Sequence, residues 1–459
     1  MLKTFIGDRK FYKRLILLML PIMIQNGITN FVNMLDNIMI GTVGTAQMTG
    51  VAVANQLIFV FNLCIFGAVS GAGIFGTQFF GSGDHEGVRH TFRFKFLFCG
   101  LITIFGILLF VFFGEPLLKL YMQGDQGVTD AAATLLHGKN YLRIMLIGLL
   151  PYTVVQCYSS TLRESANPMP PMAAGVAAVL ANLLLNYTLI FGKFGAPALG
   201  VEGAAIATVI SRFVELSIIV IWAHGDKESF PFMRGVYSTL YVPRKRAAQL
   251  FINGLPLMIN ETLWASGIAL VNQCYSMRGL DAVAAGNISQ TFWNVFSIAY
   301  MAVGNAVGII IGQMLGAGKL KEAKESSYRM ISFSFVIAIF IGVIYSFAAK
   351  YIPMVYNTEP EIRALATLLM QITAITMPFE ALTHASYFTL RSGGKMIITL
   401  IFDSGFIWCV NVLLAVILSR FTTISFVWMF AAVHFTCILK ATFGIILVRK
   451  GSWIRNIVS

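Results

Sequence analysis

Four carboxylates stand inside stretches that are otherwise apolar: Asp36, Glu261, Glu380 and Asp403. A charge facing hydrocarbon costs about 2.5 to 3.5 kcal/mol on insertion scales, so acids in such stretches face other helices or water. The chemistry open to them there is capture and release of a proton or a small cation. Around Asp36 the residues Asn26, Asn30, Asn33 and Asn37 recur at i, i+4, i+7 and i+11, while Thr29, Asn33 and Asp36 recur at i, i+4 and i+7. Both rows share one side of a helix. Asn182 and Asn186 are one turn apart in VLANLLLNYTLIFG. Asp36 lies 22 residues beyond Arg14 and Asn186 lies 23 beyond Arg163, which at about 1.5 Å per residue gives the two side chains similar depth. A carboxylate with amide oxygens suits a proton or a hard cation such as sodium. The plainer reading of the asparagines is hydrogen bonding between packed helices.

In the second half of the chain, Glu380 has His384 one turn later, and a carboxylate and an imidazole at that spacing can share a proton. The alternative is a neutral glutamic acid bonded to a neighbour. Arg212 and Glu215, three apart, are expected to neutralise each other. Asp403 lies near the inner end of its segment, where snorkelling or packing competes with a role in ion movement.

Those residues need elements to position them, and composition says what the elements are. Of 459 residues 57% are hydrophobic and 12% charged, and the mean hydropathy is +0.77, far from a soluble globular balance. A spanning helix needs roughly 20 apolar residues, and twelve such runs are predicted, from 15–40 to 423–447. Barrel strands alternate over about ten residues, so continuous runs exclude an outer-membrane barrel. The net charge of +13 does not point to nucleic acid, because its distribution follows the membrane: with loops labelled alternately, 23 of the 33 Lys and Arg fall on one side and eight on the other. This positive-inside bias predicts a multi-pass protein of the plasma (inner) membrane with both termini cytoplasmic. The first apolar run lacks a small-x-small cleavage site and reads as a retained helix. Six cysteines sit singly without ligand spacing, so neither a disulfide nor a metal framework is expected.

The sequence repeats. Leu20-Pro21-Ile22-Met23-Ile24 returns as Leu255-Pro256-Leu257-Met258-Ile259 at an offset of 235, GTQFFGSGD returns as IGQMLGAGK, and Thr161-Leu162-Arg163 returns as Thr389-Leu390-Arg391 at 228. Glu261 takes the position of Asn26. Six helices per half make the repeat parallel. The predicted fold is therefore an all-α integral membrane protein of twelve helices in two parallel-related lobes, residues 1–223 and 250–459, joined by a polar cytoplasmic linker at 224–249. The glycine-rich turn GSGDHEG lacks a GK[ST] ending and follows a membrane helix, so it is a tight interhelical turn and not a phosphate loop.

Taken together, NMLDNIMIGTVG, TQFFGSGD, GQMLGAGKLKEA, ANLLLNYTLIFG with LGVEGAAIATVISR, and GLPLMINETLWASG resemble the multidrug and toxic compound extrusion (MATE) family over nearly the whole chain. The resemblance implies export of organic, often cationic or amphipathic, small molecules in exchange for sodium or protons, with no enzyme activity, no cofactor beyond the coupling ion, membrane lipids as surroundings, and a monomer. It implies that Asp36 is the coupling acid, with transported sodium possible there, that Asn182 and Thr208 are polar positions of the same cation site, and that Glu380 matches an acid of the NorM-like branch. Asn186 stands where a DinF-like branch has aspartate, one charge fewer, and Glu261 falls about one turn before the NorM-like glutamate. Asn33, Asn37 and His384 are expected in a proton relay or the substrate cavity. The alternative is a flippase for lipid-linked saccharides, which would be expected to line its cavity with basic residues, whereas the mid-membrane charges here are mainly acidic.

Overall fold

The structure, a computed structural model, describes residues 6–122, 131–356 and 358–459, and within α1 the side chains of Asn33 and Asn37 lie outside the described residues. Twelve helices among the described residues are long and apolar enough to cross a membrane. In chain order they are α1 (Arg9–Gly41), α2 (Thr45–Ser82), α3 (His85–Met122), α4 (Ala131–Glu164), α5 (Met169–Phe191), α6 (Gly200–Gly225), α7 (Arg244–Ser276), α8 (Leu280–Phe296 and Ile298–Gly316), α9 (Leu320–Ala348), α10 (Pro360–Ser392), α11 (Met396–Phe421) and α12 (Phe426–Lys450). On α3, Leu101, Ile104, Phe105, Leu108 and Phe112 stand exposed, an apolar face of the kind a membrane-spanning helix presents outward. Helix ends are set by polar side chains, as where Asp84 caps α3 by accepting from Gly87 N at 2.8 Å.

Two elements depart from the predicted runs. The eighth is interrupted for one residue at Ser297, whose N–H still donates to the Trp293 carbonyl at 2.8 Å and whose hydroxyl reaches the Asn294 carbonyl at 3.4 Å. The eleventh widens into π turns at Ile401–Gly405 and Ile407–Val412.

The repeat is visible in the packing. Helices α3 with α4 and α4 with α6 pack in the first half, as α9 with α10 and α10 with α12 do in the second. By contact the chain falls into two units, one comprising the residues up to Met23 with Thr77–Gly83 and Ile259–Ser459, the other Ile24–Gly76 with Asp84–Met258. Within the first, the two repeated turns join reciprocally: the backbone of Gln313 stands where a Cβ on Gly81 would be, and the backbone of Gln78 where one on Gly316 would be. Only glycine permits either approach. Beyond them Gly83 and Gly318 turn the chain at φ +78° and +75°, which is the tight turn read from the sequence. Gln78 also clasps the end of the chain, donating to the carbonyls of Ser392 (2.9 Å) and Arg455 (3.3 Å) and accepting from Ile457 N (2.9 Å).

In the second unit the linker is fastened rather than loose. Phe230, Phe232, Met233 and Val236 are buried, and Arg93 on α3 donates to the carbonyls of Val236 (2.8 Å) and Gly235 (3.1 Å). Lys95, counted by sequence among the cytoplasmic cations, is wholly buried and pairs with Glu164 on α4 at 2.6 Å.

Candidate functional site

The amino-half cluster is assembled by three helices. Asp36 comes from α1, Asn182 and Asn186 from one face of α5, and Thr208 from α6. Asn186 Nδ2 donates to Asp36 Oδ1 at 2.6 Å and to Asn182 Oδ1 at 3.1 Å, and Asn182 Nδ2 reaches Thr208 Oγ1 at 3.4 Å. Turning the Asn182 amide about brings its nitrogen to 3.0 and 3.2 Å from the two Asp36 oxygens. Asn186 is 1% exposed and Asn182 6%, and Asn186 Oδ1 has no hydrogen-bond partner. A buried acceptor without a partner is uncommon; beside a carboxylate and a second amide oxygen it offers a ready ligand to a cation. Tyr141 on α4 donates to Asn55 on α2 at 3.3 Å. Neither bonds the four residues of the cluster among the described residues.

The acids of the second half fall into two clusters that share no hydrogen-bond partner. Glu380 Oε2 accepts from Trp293 Nε1 and Tyr300 OH, each at 3.0 Å, both from α8. The expected proton-sharing with His384 is absent: that imidazole packs against Phe388 with ring centroids 5.0 Å apart, faces Gly304, and its Nε2 has no partner. The i, i+4 spacing puts both residues on one face of α10, but the two aromatic donors of α8 take the carboxylate first.

Glu261 belongs to the other cluster. Tyr387 OH on α10 donates to Glu261 Oε1 at 3.3 Å and lies 3.3 Å from Asn260 Nδ2. Asn260 Nδ2 also donates to Asp403 Oδ2 at 3.0 Å, and Asp403 Oδ1 pairs with Lys440 Nζ on α12 at 2.7 Å. Asp403 is therefore held inside the helices and does not snorkel. Arg212 and Glu215 make no ion pair: Arg212 instead donates to the Gly148 carbonyl at 3.0 Å and lies 4.9 Å above the Tyr152 ring. No group of three or more His, Cys, Asp or Glu suited to a metal occurs among the described residues.

Twelve apolar helices in two repeated halves, with Asp36, Glu261 and Glu380 held among them by neutral donors and Asp403 by a lysine, are the frame of a polytopic transport protein, and the family match places the chain in that class. The MatE family model matches residues 21–188 and 256–417, one stretch in each repeat half, and the chain belongs to that family. It is 24% identical over 451 residues to the probable multidrug resistance protein NorM of Thermotoga maritima, covering 97% of this chain and 94% of that one. It is 25% identical over 366 residues to multidrug resistance protein MdtK of Yersinia pseudotuberculosis, covering 79% and 78%. A crystal structure of a Vibrio cholerae MATE transporter has the same fold, with a TM-score of 0.86 at 17% identity over 97% of this chain and 98% of that one.

Proposed function

We propose that this protein is a multidrug efflux antiporter, exporting organic and often cationic compounds in exchange for inward sodium or protons. The observation that carries the reading is the buried, unpartnered Oδ1 of Asn186 next to Asp36 and Asn182. An arriving cation would find oxygen ligands in Asp36, Asn182, Asn186 and Thr208, and hard cations prefer oxygen. A proton would neutralise Asp36 directly. Either event changes the charge inside the bundle by one and favours a different conformer from the one that holds drug. Coupling requires only that ion and drug prefer different states, with a reciprocal effect of about 1 to 3 kcal/mol.

Glu261 and Glu380 are assigned as further coupling acids, and Asn33, Asn37 and His384 to the relay or the drug cavity. The moving bodies are the repeat halves 1–223 and 250–459 on either side of the linker 224–249, in a monomer with both termini cytoplasmic. Multidrug resistance proteins among its relatives support the substrate class. In proteoliposomes given a sodium gradient or a pH gradient, D36N is expected to abolish driven efflux of ethidium while still binding it. Efflux by D36N at the wild-type rate would sink the reading.

A further inference from the structure

Among the 33 Lys and Arg, only Arg212 and Lys440 fall to neither face of the membrane by the alternation of loops. They are 228 residues apart, the register in which 161–163 meets 389–391, so they are the same repeat position. Their surroundings differ. In the first half Gln25 Nε2 lies against Gly175, and Arg212 turns to a carbonyl and a ring. The repeat equivalents are Asn260 for Gln25, at an offset of 235, and Asp403 for Gly175, at 228. The second half thus carries a carboxylate where the first has no side chain, and the cation has closed on it.

The resulting pair is built in from all sides. The side chains of Lys440 and Asp403 are 11% and 15% exposed. The ammonium also lies 5.5 Å from the Phe402 ring and 5.8 Å from that of Phe406, within cation–π reach. Asn260 Oδ1 accepts from Ser404 Oγ at 2.7 Å and from Ser404 N at 3.3 Å, which fixes the amide so that its nitrogen bridges Asp403 and Tyr387. Hydrogen bonds therefore run without a gap from Lys440 through Asp403, Asn260 and Tyr387 to Glu261. Asp403 sits in the π turn of α11, a widening that is frequent at functional sites. Arg391 stands over the Tyr387 and Phe388 rings at 5.9 and 5.4 Å, with His384 against Phe388.

We propose that Lys440 and Asp403 are positioning residues of an ion site centred on Glu261: the tethered ammonium occupies Asp403 permanently, so that Glu261 is the carboxylate of this cluster left to bind one exchangeable monovalent cation or proton. The inference rests on the ion-coupled reading above. The chain of bonds makes the two carboxylates feel one another, and the lysine keeps Asp403 from competing for the ion.

The test is ethidium binding to the purified full-length protein, followed by fluorescence across pH at zero sodium and across sodium at fixed pH. K440M leaves two carboxylates joined through Asn260 and Tyr387, so the pH midpoint of binding moves up by about one unit and the dependence steepens toward two protons per drug. D403N leaves an unpaired ammonium, and its midpoint moves down by a similar amount. D403N/K440M returns to the wild-type midpoint, and in an E261Q background the D403N shift disappears. A pair that only braces the fold would lower thermal stability in the single variants and leave every midpoint in place; coincident midpoints, or two single-variant shifts of the same sign, overturn the proposal. If K440M does not fold, D403N and the double variant still decide the matter. A wild type whose binding answers to neither pH nor sodium defeats the ion-coupled reading itself, an outcome distinct from unshifted variants of a responsive protein.

Discussion

Replacing Asn186 by Asp asks whether the amino-half cluster is a cation site or a hydrogen-bonded joint between helices. The amide that now donates to Asp36 at 2.6 Å becomes a second carboxylate at the same place, and the buried position allows little retreat, since Asn186 is 1% exposed. Two unit charges at that separation repel by about 6 kcal/mol at an effective dielectric near 20, and the charge-assisted bond being lost contributes roughly another 1.5 to 3 kcal/mol. The ion-free, doubly charged form is then untenable, and the site must take up a proton or a cation to stay folded. Because the native state of N186D binds more protons than the unfolded chain, its stability rises as pH falls. Sodium present at about 100 times its dissociation constant would restore about 2.7 kcal/mol. Thermal unfolding in sodium and in N-methylglucamine between pH 6 and pH 9 reads both effects. The expected result is a large deficit at high pH without sodium, mostly recovered by either acid or sodium. A deficit that is constant across all media would mean the asparagines only glue helices together, and the ion-site argument would fail.

Two further outcomes follow from buried contacts. K95M removes the ammonium from Glu164, whose side chain is 10% exposed and keeps the Ser160 hydroxyl, and is expected to lose about 3 kcal/mol by denaturant titration of the purified protein, while K95M/E164Q recovers most of it. G81L and G316L each push a side chain into a backbone carbonyl that has no rotamer to yield; each should lower stability by about 1 to 3 kcal/mol and reduce ethidium efflux by at least tenfold, and wild-type efflux in either would show that this joint is not made in the transport cycle.

The reach of the sequence can be judged residue by residue. Counting rise from two arginine anchors gives Asp36 and Asn186 similar depth, because a helix converts residue number into height, and the structure brings the two into contact. The same arithmetic says nothing of what a facing helix presents at each turn, which is why Glu380 and His384, on one face and one turn apart, have different neighbours. Asp403 looked like an interfacial residue because its partner, Lys440, is on another helix 37 residues on; the repeat register that equates Lys440 with Arg212 would have revealed it. Charge counting puts Lys95 on the cytoplasmic side and cannot tell a solvated cation from one neutralised, as this one is, by a glutamate on the next helix. The interruption at Ser297 and the π turns of α11 change backbone geometry without changing hydropathy, so neither shows in the apolar runs. The predicted repeat, by contrast, was legible to the level of single glycines, since a backbone approach tolerates nothing else.

The clasp on the amide of Gln78 has a bearing on how the protein is made. Its partners at Arg455 and Ile457 are 377 and 379 residues further along the chain, and at about 5 to 20 residues per second the ribosome needs roughly 20 to 75 s to reach them. Throughout that interval the carboxy-terminal end of α2 has been made and its polar amide is unclaimed by the tail. The joint at the end of α2 can therefore close only after the last residues of the chain have been made, so it is among the latest contacts of the fold to form.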